Sequence, residues 1–99
     1  MSQVRISDDA LQDLSDGFLF YETQQAGLGD YFVTCLRADI EGLRIYAGIH
    51  RVVYGDYYRV LSRVFPFGIF YTLEEDCAVV WAVIDLRRDP EWIRQRFRE

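Results

Sequence analysis

The sequence is poor in the residues that most often build metal sites and disulfides. Its 99 residues include one histidine, two cysteines and no lysine. The cysteines, Cys35 and Cys77, lie in a helix-like and a strand-like stretch, which fits reduced core thiols better than a disulfide framework. No cysteine pair has the spacing of metal ligands. We therefore expect neither a metal site nor a cofactor.

Long apolar runs are also missing. A membrane-spanning helix needs about 20 consecutive apolar residues, and no run in this sequence approaches that length. The N-terminal segment MSQVRISDD is too polar for the apolar region of a secretory signal. The sequence therefore predicts a cytoplasmic protein without membrane contact.

Positive charge is scarce and comes only from arginine. Eleven arginines face 16 acidic residues, which gives a net charge of −5. Arginine suits bidentate pairing to carboxylate or phosphate, although genomic base composition explains the absence of lysine equally well. An acidic chain is not steered towards nucleic acid over long distances, so no direct sequence-specific nucleic-acid binding is expected. Five arginines lie in the last thirteen positions: Arg87, Arg88, Arg94, Arg96 and Arg98.

The first half of the chain has helical periodicity. A short strand at Val4–Ile6 precedes a predicted helix with Ser7 as its N-cap. Gly17 either lets a neighbouring helix approach or is a tolerated defect that costs about 1 kcal/mol relative to alanine. The stretch Gly27–Asp30 predicts a helix end, a tight link and a new N-cap at Asp30. Because this link is short, the second helix, which ends near Ala47, should form an antiparallel hairpin with the first.

After residue 56 the hydrophobic period changes from 3.6 to 2. Three strands are predicted within 57–64, 65–74 and 77–86, joined by a Phe65-Pro66 corner and an acidic turn at Glu74–Asp76. The segment Gly48–Asp56 before them is a connector with some strand-like character. In the third strand, alternation places Val79, Trp81 and Val83 on one face and Ala78, Val80, Ala82 and Ile84 on the other.

The last two strands are apolar on both faces, and one helix hairpin covers only one face of a sheet. Pro90 is well placed in the first turn of a short terminal helix that carries Trp92, Ile93 and Phe97. Two interpretations follow. Either the terminal helix folds back over the second face, or that face is offered to a partner.

The predicted fold class is α+β: an N-terminal strand, a helix hairpin on one face of an antiparallel sheet (β-α-α-β-β-β) and a short C-terminal helix. With this order the sequence resembles the RelE/ParE superfamily of toxins from type II toxin-antitoxin systems, and more the ParE side. The resemblance extends from about Arg5 to Trp92, so residues 1–99 are expected to form a single domain of this kind. Its matching points are Phe20-Tyr21-Glu22, Gly27-Leu28-Gly29, Arg59 to Pro66, Val79 to Val83 and Arg87-Arg88-Asp89-Pro90.

The resemblance implies a toxin that inhibits growth or stabilises a plasmid and is encoded beside a small antitoxin. In such systems a segment of the antitoxin folds across the toxin and blocks it. An uncovered apolar sheet face would meet this partner, and aromatic anchors dominate such interfaces. The residues expected to contact the antitoxin or the target are Phe70, Val80, Trp81, Arg87, Arg88, Trp92 and Ile93.

Two activities compete within the superfamily. ParE-like members resemble inhibitors of DNA gyrase, which act by binding. RelE-like members resemble ribosome-dependent mRNA endonucleases, whose chemistry needs a base, an acid and cationic stabilisation. The weak catalytic candidates here are Arg59, Arg63, Arg87, Arg88 and His50.

No convincing acid and base accompany these arginines, and a lone histidine beside a sheet is more often structural than catalytic. The arginines also have a competing interpretation as surface salt bridges, for instance Arg63 with Glu74 and Arg94 with Glu91, worth about 0–1 kcal/mol each. We therefore favour a toxin that binds its target without enzymatic activity. The mRNA endonuclease is the alternative, and a non-toxic member that only binds antitoxin is the second alternative.

Overall fold

The structure, a computed structural model, describes residues 2–98 and has the predicted α+β architecture. In chain order its elements are β1 (Gln3–Ile6), α1 (Asp8–Gln24), α2 (Leu28–Glu41), α3 (Leu43–Tyr46), β2 (Arg51–Tyr54), β3 (Tyr57–Leu61), β4 (Phe67–Glu74), β5 (Cys77–Asp85) and α4 (Pro90–Gln95). No helix within residues 2–98 is both long enough and apolar enough to cross a membrane.

The five strands form one sheet in the order β1-β5-β4-β3-β2. Strands β2 to β5 are antiparallel neighbours, as the sequence predicts for the last three. Strand β1 pairs in parallel with β5, so the sheet is mixed. The connector's strand-like stretch is β2, which pairs with β3 across a turn at Gly55 and Asp56.

The helix hairpin is held at its link by one carboxylate. Ser7 caps α1 as predicted, with its Oγ accepting a hydrogen bond from the Ala10 N–H. The N-cap of α2 is Gly27, with a φ of 91°, and not the predicted Asp30, which lies in the first turn. The Glu22 carboxylate accepts from the N–H groups of Gly27, at 3.0 Å, and Gly29, at 2.9 Å. A side chain from α1 thus satisfies the free N–H groups that begin α2, which is why no local N-cap is required.

The two helices touch where α1 carries Gly17. A Cβ atom at this position would lie 2.4 Å from the ring of Phe32 on α2, so only glycine leaves room for that ring. Phe32 is fully buried and packs against Phe65, in the corner before β4, and Phe67, the first residue of β4. Of the two interpretations of Gly17, close approach of the neighbouring helix is therefore the correct one.

Strand β5 does not alternate as the sequence predicts. Phe70 on β4 is paired with Ala82 and the next residue, Tyr71, with Val80, so Trp81 is an extra residue that forms a β-bulge. A bulge switches the faces of all residues beyond it. Ala78, Val80 and Val83 consequently pack on the hairpin side, whereas Ala82 and Ile84 pack on the opposite side, and the predicted grouping of Val83 with Trp81 is wrong.

The terminal helix folds back over the second face of the sheet. Ile93 on α4 joins Phe70, Ala82 and Ile84 in a second buried cluster. Beyond the helix, Phe97 stacks on Tyr54, with ring centroids 5.1 Å apart, and contacts Phe70 at 4.8 Å. The chain itself therefore covers the part of this face that carries Phe70.

Candidate functional site

The chain leaves the sheet beside a cavity of about 310 Å³ between α1, β5 and α4, called here the Arg88 cavity. Its lining combines charges of both signs with apolar side chains. The charged and aromatic lining includes Asp13, Asp16, Asp85, Arg88, Trp92 and Arg96.

Asp13 links the three elements around this cavity. Its carboxylate accepts a hydrogen bond from the Val83 N–H of β5 at 2.9 Å. It also accepts two from Arg96, one from Nη1 at 3.1 Å and one from Nη2 at 2.8 Å. These hydrogen bonds raise the pKa of Arg96 above its usual value. A bidentate, partly buried pair of this kind fixes the orientation of both side chains and thereby docks the end of α4.

The two arginines at the exit from the sheet have different surroundings. The guanidinium of Arg87 donates to both carboxylate oxygens of Asp85, at 3.0 and 2.8 Å, and this bonding lowers the pKa of Asp85. Arg88 forms no salt bridge within residues 2–98. Its guanidinium lies 4.0 Å over the Trp92 ring instead, as a cation–π pair. Arg88 is therefore the exit arginine whose hydrogen-bonding capacity is not used by a carboxylate of the described chain.

The predicted contact residues divide into surface and core. Trp81 and Trp92 are exposed, and the Trp81 Nε1–H donates to Thr72 Oγ1 at 2.8 Å. Phe70 and Ile93 are buried between the sheet and α4. Val80 is buried on the hairpin side, where no partner reaches it while the domain is folded. The bulge at Trp81 has no local signal in the sequence, whereas the folding back of α4 is one of the two interpretations given above, and it is the one that the structure shows.

One of the two predicted salt bridges forms. Arg94 contacts Glu91 at 2.8 Å as predicted. The predicted pair of Arg63 with Glu74 is wrong, because Arg63 contacts Asp39 at 2.8 Å and Glu74 lies 3.9 Å from Arg5. Asp39 stands near the end of α2, and only the tertiary fold brings it to the corner after β3.

His50 and Arg63, two of the weak catalytic candidates, line a second cavity of about 220 Å³, called here the His50 cavity. Tyr46 also lines it, whereas Arg59 lies on β3 opposite Phe70, and Arg87 and Arg88 are at the exit. The sequence could not indicate this grouping, because His50 and Arg63 belong to separate segments that meet only after β2 and β3 pair.

A buried tyrosine orients His50. The Nδ1 atom of His50 lies 2.6 Å from the hydroxyl oxygen of Tyr71. This oxygen also accepts a hydrogen bond from the Gly48 N–H at 2.9 Å. The hydrogen bond between His50 and Tyr71 fixes the orientation of the imidazole ring and leaves Nε2 at the ring edge away from Tyr71. Burial lowers the pKa of His50 below its usual value.

Protonation of His50 should therefore destabilise the fold. The neutral imidazole is favoured in the folded state, so stability is constant above the unfolded-state pKa of about 6.5 and falls as the pH drops below it. We expect the urea midpoint of the wild type to fall between pH 7.5 and pH 5. The matched variant His50→Gln should lose most of this drop. An equal drop in both proteins would show that other groups cause it.

Comparison with known proteins identifies the fold. No family model matches the sequence, and no curated protein matches it significantly. A chain of the chromosomal ParDE toxin-antitoxin system from P. aeruginosa aligns with a TM-score of 0.78 at 13% identity, over 84% of this chain and 94% of that chain. The isolated E. coli RelE toxin aligns with a TM-score of 0.62 at 14% identity, over 96% of this chain and 95% of that chain.

A chain of the intact E. coli RelBE toxin-antitoxin complex gives a TM-score of 0.61 at 14% identity, over 89% of this chain and 100% of that chain. Identities this low establish shared architecture. The chain therefore shares the fold of these chains from toxin-antitoxin systems, and its TM-score to the ParDE chain exceeds its scores to the two E. coli chains.

Proposed function

We propose that this chain is the toxin of a cytoplasmic type II toxin-antitoxin module, that a cognate antitoxin neutralises it, and that it acts by binding a target such as DNA gyrase. The observation that carries the proposal is the likeness to the ParDE chain, which covers 94% of that chain. Growth inhibition and plasmid stabilisation are the effects that such a module would have.

The Arg88 cavity supports action by binding. Arginine and tryptophan are strongly enriched among the residues that dominate protein interfaces. Arg88 and Trp92 form such a pair in the lining of the cavity, where the guanidinium lies 4.0 Å over the indole ring. Asp13 and Arg96 fix the helix that carries Trp92, so the pair is preorganised for contact. We assign target recognition to Arg88 and Trp92.

A growth assay tests this proposal. Induced expression of the chain alone should arrest growth, and co-expression of the small protein encoded in the adjacent reading frame should restore it. An induced SOS response and linearised plasmid would identify gyrase as the target. Normal growth with folded protein present would contradict a toxin and favour the non-toxic, antitoxin-binding member.

The same assay tests the two residues. Arg88→Ala and Trp92→Ala should each return growth towards the uninduced rate while circular dichroism shows an unchanged fold. The matched control is Arg94→Ala, which changes an exposed arginine on α4, the helix of Trp92, that is paired with Glu91. Arrest that persists in both Arg88→Ala and Trp92→Ala would remove the Arg88 cavity from target recognition.

A RelE-like mRNA endonuclease is the second candidate, and one observation favours it. The His50 cavity brings together an imidazole, the phenol of Tyr46 and the guanidinium of Arg63, which are the kinds of group that RNA cleavage needs. Ribosome-dependent mRNA cutting that is lost in His50→Ala and retained in Arg88→Ala would replace gyrase binding with this activity.

A further inference from the structure

Strand β4 extends beyond β3 at one end of the sheet. Its pairing with β3 ends at Tyr71, whereas its pairing with β5 continues to Glu74. Gly55 and Asp56, which precede β3, form the turn from β2 and do not pair with β4. Residues 72–74 of β4 therefore have a paired strand on one side only.

The backbone of Leu73 faces this gap. In an antiparallel ladder, the residues whose N–H and C=O groups point towards one neighbouring strand alternate along the chain. The carbonyl of Phe67 accepts a hydrogen bond from the Ser62 N–H, so alternation directs the backbone groups of every second residue of β4, up to Leu73, to the β3 side. Within residues 2–98 no backbone hydrogen bond joins Leu73 to the turn before β3. Its N–H and C=O groups are therefore available to an added extended segment.

A cavity of about 410 Å³, called here the Trp81 cavity, lies at this gap. Its lining combines the exposed side chains of Leu73 and Trp81 with Tyr57 and with two carboxylates, those of Asp56 and Glu74. The cavity shares no lining residue with the Arg88 cavity. It is therefore a separate surface from the one to which we assign target recognition.

Hydrogen bonds orient the aromatic and acidic groups of the Trp81 cavity. The Trp81 Nε1–H donates to Thr72 Oγ1 at 2.8 Å, and the Thr72 hydroxyl donates to Glu74 Oε2 at 3.3 Å. The other oxygen of Glu74 lies 3.9 Å from Arg5, and because both side chains are at least half exposed, this pair contributes little. Asp56 forms no salt bridge in the part of the chain that the structure describes. Two carboxylates thus lie beside an oriented indole ring with little neutralisation by a cation.

This combination matches a basic side chain on an extended backbone. A guanidinium or ammonium group pairs with carboxylates and is attracted to the face of a tryptophan ring. An extended segment adds to an open strand edge through main-chain hydrogen bonds, while pockets for its side chains give specificity.

We propose that the Trp81 cavity docks an extended basic segment of a protein partner, which pairs with β4 at Leu73 and places an arginine or lysine side chain beside Asp56, Glu74 and Trp81. This inference goes beyond the proposed function and does not depend on it.

Charge and shape favour this occupant over two others. The chain carries a net charge of −5, which attracts a basic partner and repels an acidic one. A free cation would contact the carboxylates but would leave the backbone groups of Leu73 unpaired. A second copy of the chain, meeting the same surface about a two-fold axis, would bring like-charged carboxylates together.

Peptide binding followed by NMR on the full chain tests the site. The probes are two capped peptides, Ser-Thr-Val-Arg-Val-Thr-Ser and its analogue with Gln in place of Arg, with N-acetylarginine amide as a third ligand. We expect the Arg peptide to shift the Trp81 Nε1–H signal in a saturable way and to bind about tenfold more tightly than the Gln peptide. At saturation it should slow hydrogen exchange of the Leu73 amide about tenfold or more, because the added strand protects this group.

Three results of this titration would overturn the proposal. The first is equal binding of the two peptides or the absence of a saturable shift. The second is unchanged exchange at Leu73, which would exclude the added strand. The third is an equal response to N-acetylarginine amide, which would show that the cavity takes a free cation without a peptide backbone.

Two variants test the carboxylates. Asp56→Asn and Glu74→Gln should each weaken binding of the Arg peptide about tenfold and leave binding of the Gln peptide unchanged. Asp56 is an exposed turn residue, so Asp56→Asn covers the case in which Glu74→Gln fails to fold. The matched control is Glu75→Gln, which removes a neighbouring exposed charge that does not line the cavity. An equal loss in Glu75→Gln would show that net charge, and not the cavity, attracts the peptide, and would overturn the proposal.

These outcomes separate this inference from the proposed function. Growth arrest by a chain that gives no saturable, Arg-dependent response would overturn the docking site and leave the toxin proposal standing. Such a response in a chain that causes no growth arrest would do the reverse. Sedimentation that revealed a dimer dissociated by Asp56→Asn would assign the surface to a second copy and overturn the proposal.

Discussion

Asp13→Ala is expected to lower the free energy of unfolding by about 2 kcal/mol, since it removes the charged acceptor of a partly buried ion pair and leaves the Val83 N–H without its partner. Asp13 accepts from the Val83 N–H and from both terminal nitrogens of Arg96. Without it, α4 loses its polar attachment to α1 and the N–H of Val83 loses its acceptor. Urea unfolding followed by circular dichroism measures the change.

The control for this prediction is Glu91→Ala. Glu91 pairs with Arg94 and Arg98 on the exposed side of α4, and such pairs contribute less than about 1 kcal/mol. If Asp13→Ala cost no more than Glu91→Ala, the Asp13–Arg96 pair would not be what docks α4. When Arg96 is already alanine, adding Asp13→Ala should lower the free energy of unfolding by less than it does in the wild type, because the two residues share one interaction.

Gly17→Val is expected to lower the free energy of unfolding by about 3 kcal/mol, which is in the upper part of the range for overpacking a core. Even a single added carbon would lie 2.4 Å from Phe32 Cε2. The Phe32 ring is fully buried and packs against Tyr21, Phe65 and Phe67, with ring centroids 5.1, 5.1 and 4.8 Å away, so a shift of the ring would disturb these contacts. The helices would have to separate, which would loosen the hairpin core.

Ser15→Val is the matched control, since it introduces the same side chain on the exposed face of the same helix. It should change the free energy of unfolding by less than about 0.5 kcal/mol. A similar loss in both variants would indicate that valine in α1, and not the contact with Phe32, is responsible. Combining Gly17→Val with Phe32→Ala should be less damaging than the sum of the two single changes.

The elements of the fold follow from local sequence patterns. A hydrophobic period of 3.6 residues predicts the helix hairpin, and a period of two residues predicts strands β3 to β5. Pro90 predicts the start of α4. Each pattern is a property of a short segment, so a single sequence suffices to predict it. The parallel pairing of β1 with β5 is different, since a short apolar strand carries no signal for the edge it joins.

The candidate site was harder to predict because long-range contacts build it. Arg96 pairs with a carboxylate 83 positions earlier in the chain. Arg63 could be paired with any nearby acid on paper, and only the packing of α2 against the sheet selects Asp39. The residue types in the sequence therefore indicate charged contact surfaces, while the partners of each charge come from the tertiary structure.

The chain has two tryptophans on different elements, one at the β-bulge of the sheet and one on α4, so their fluorescence reports on different parts of the fold. Trp81 lies on the sheet and donates a hydrogen bond to Thr72. Trp92 lies on α4, and its ring contacts the guanidinium of Arg88. Since they are the two tryptophans of the sequence, replacing either one with phenylalanine leaves the emission of the other. A partner that binds the sheet near Trp81 would then change the emission of Trp92→Phe, which retains Trp81. A partner that displaces α4 would change the emission of Trp81→Phe, which retains Trp92.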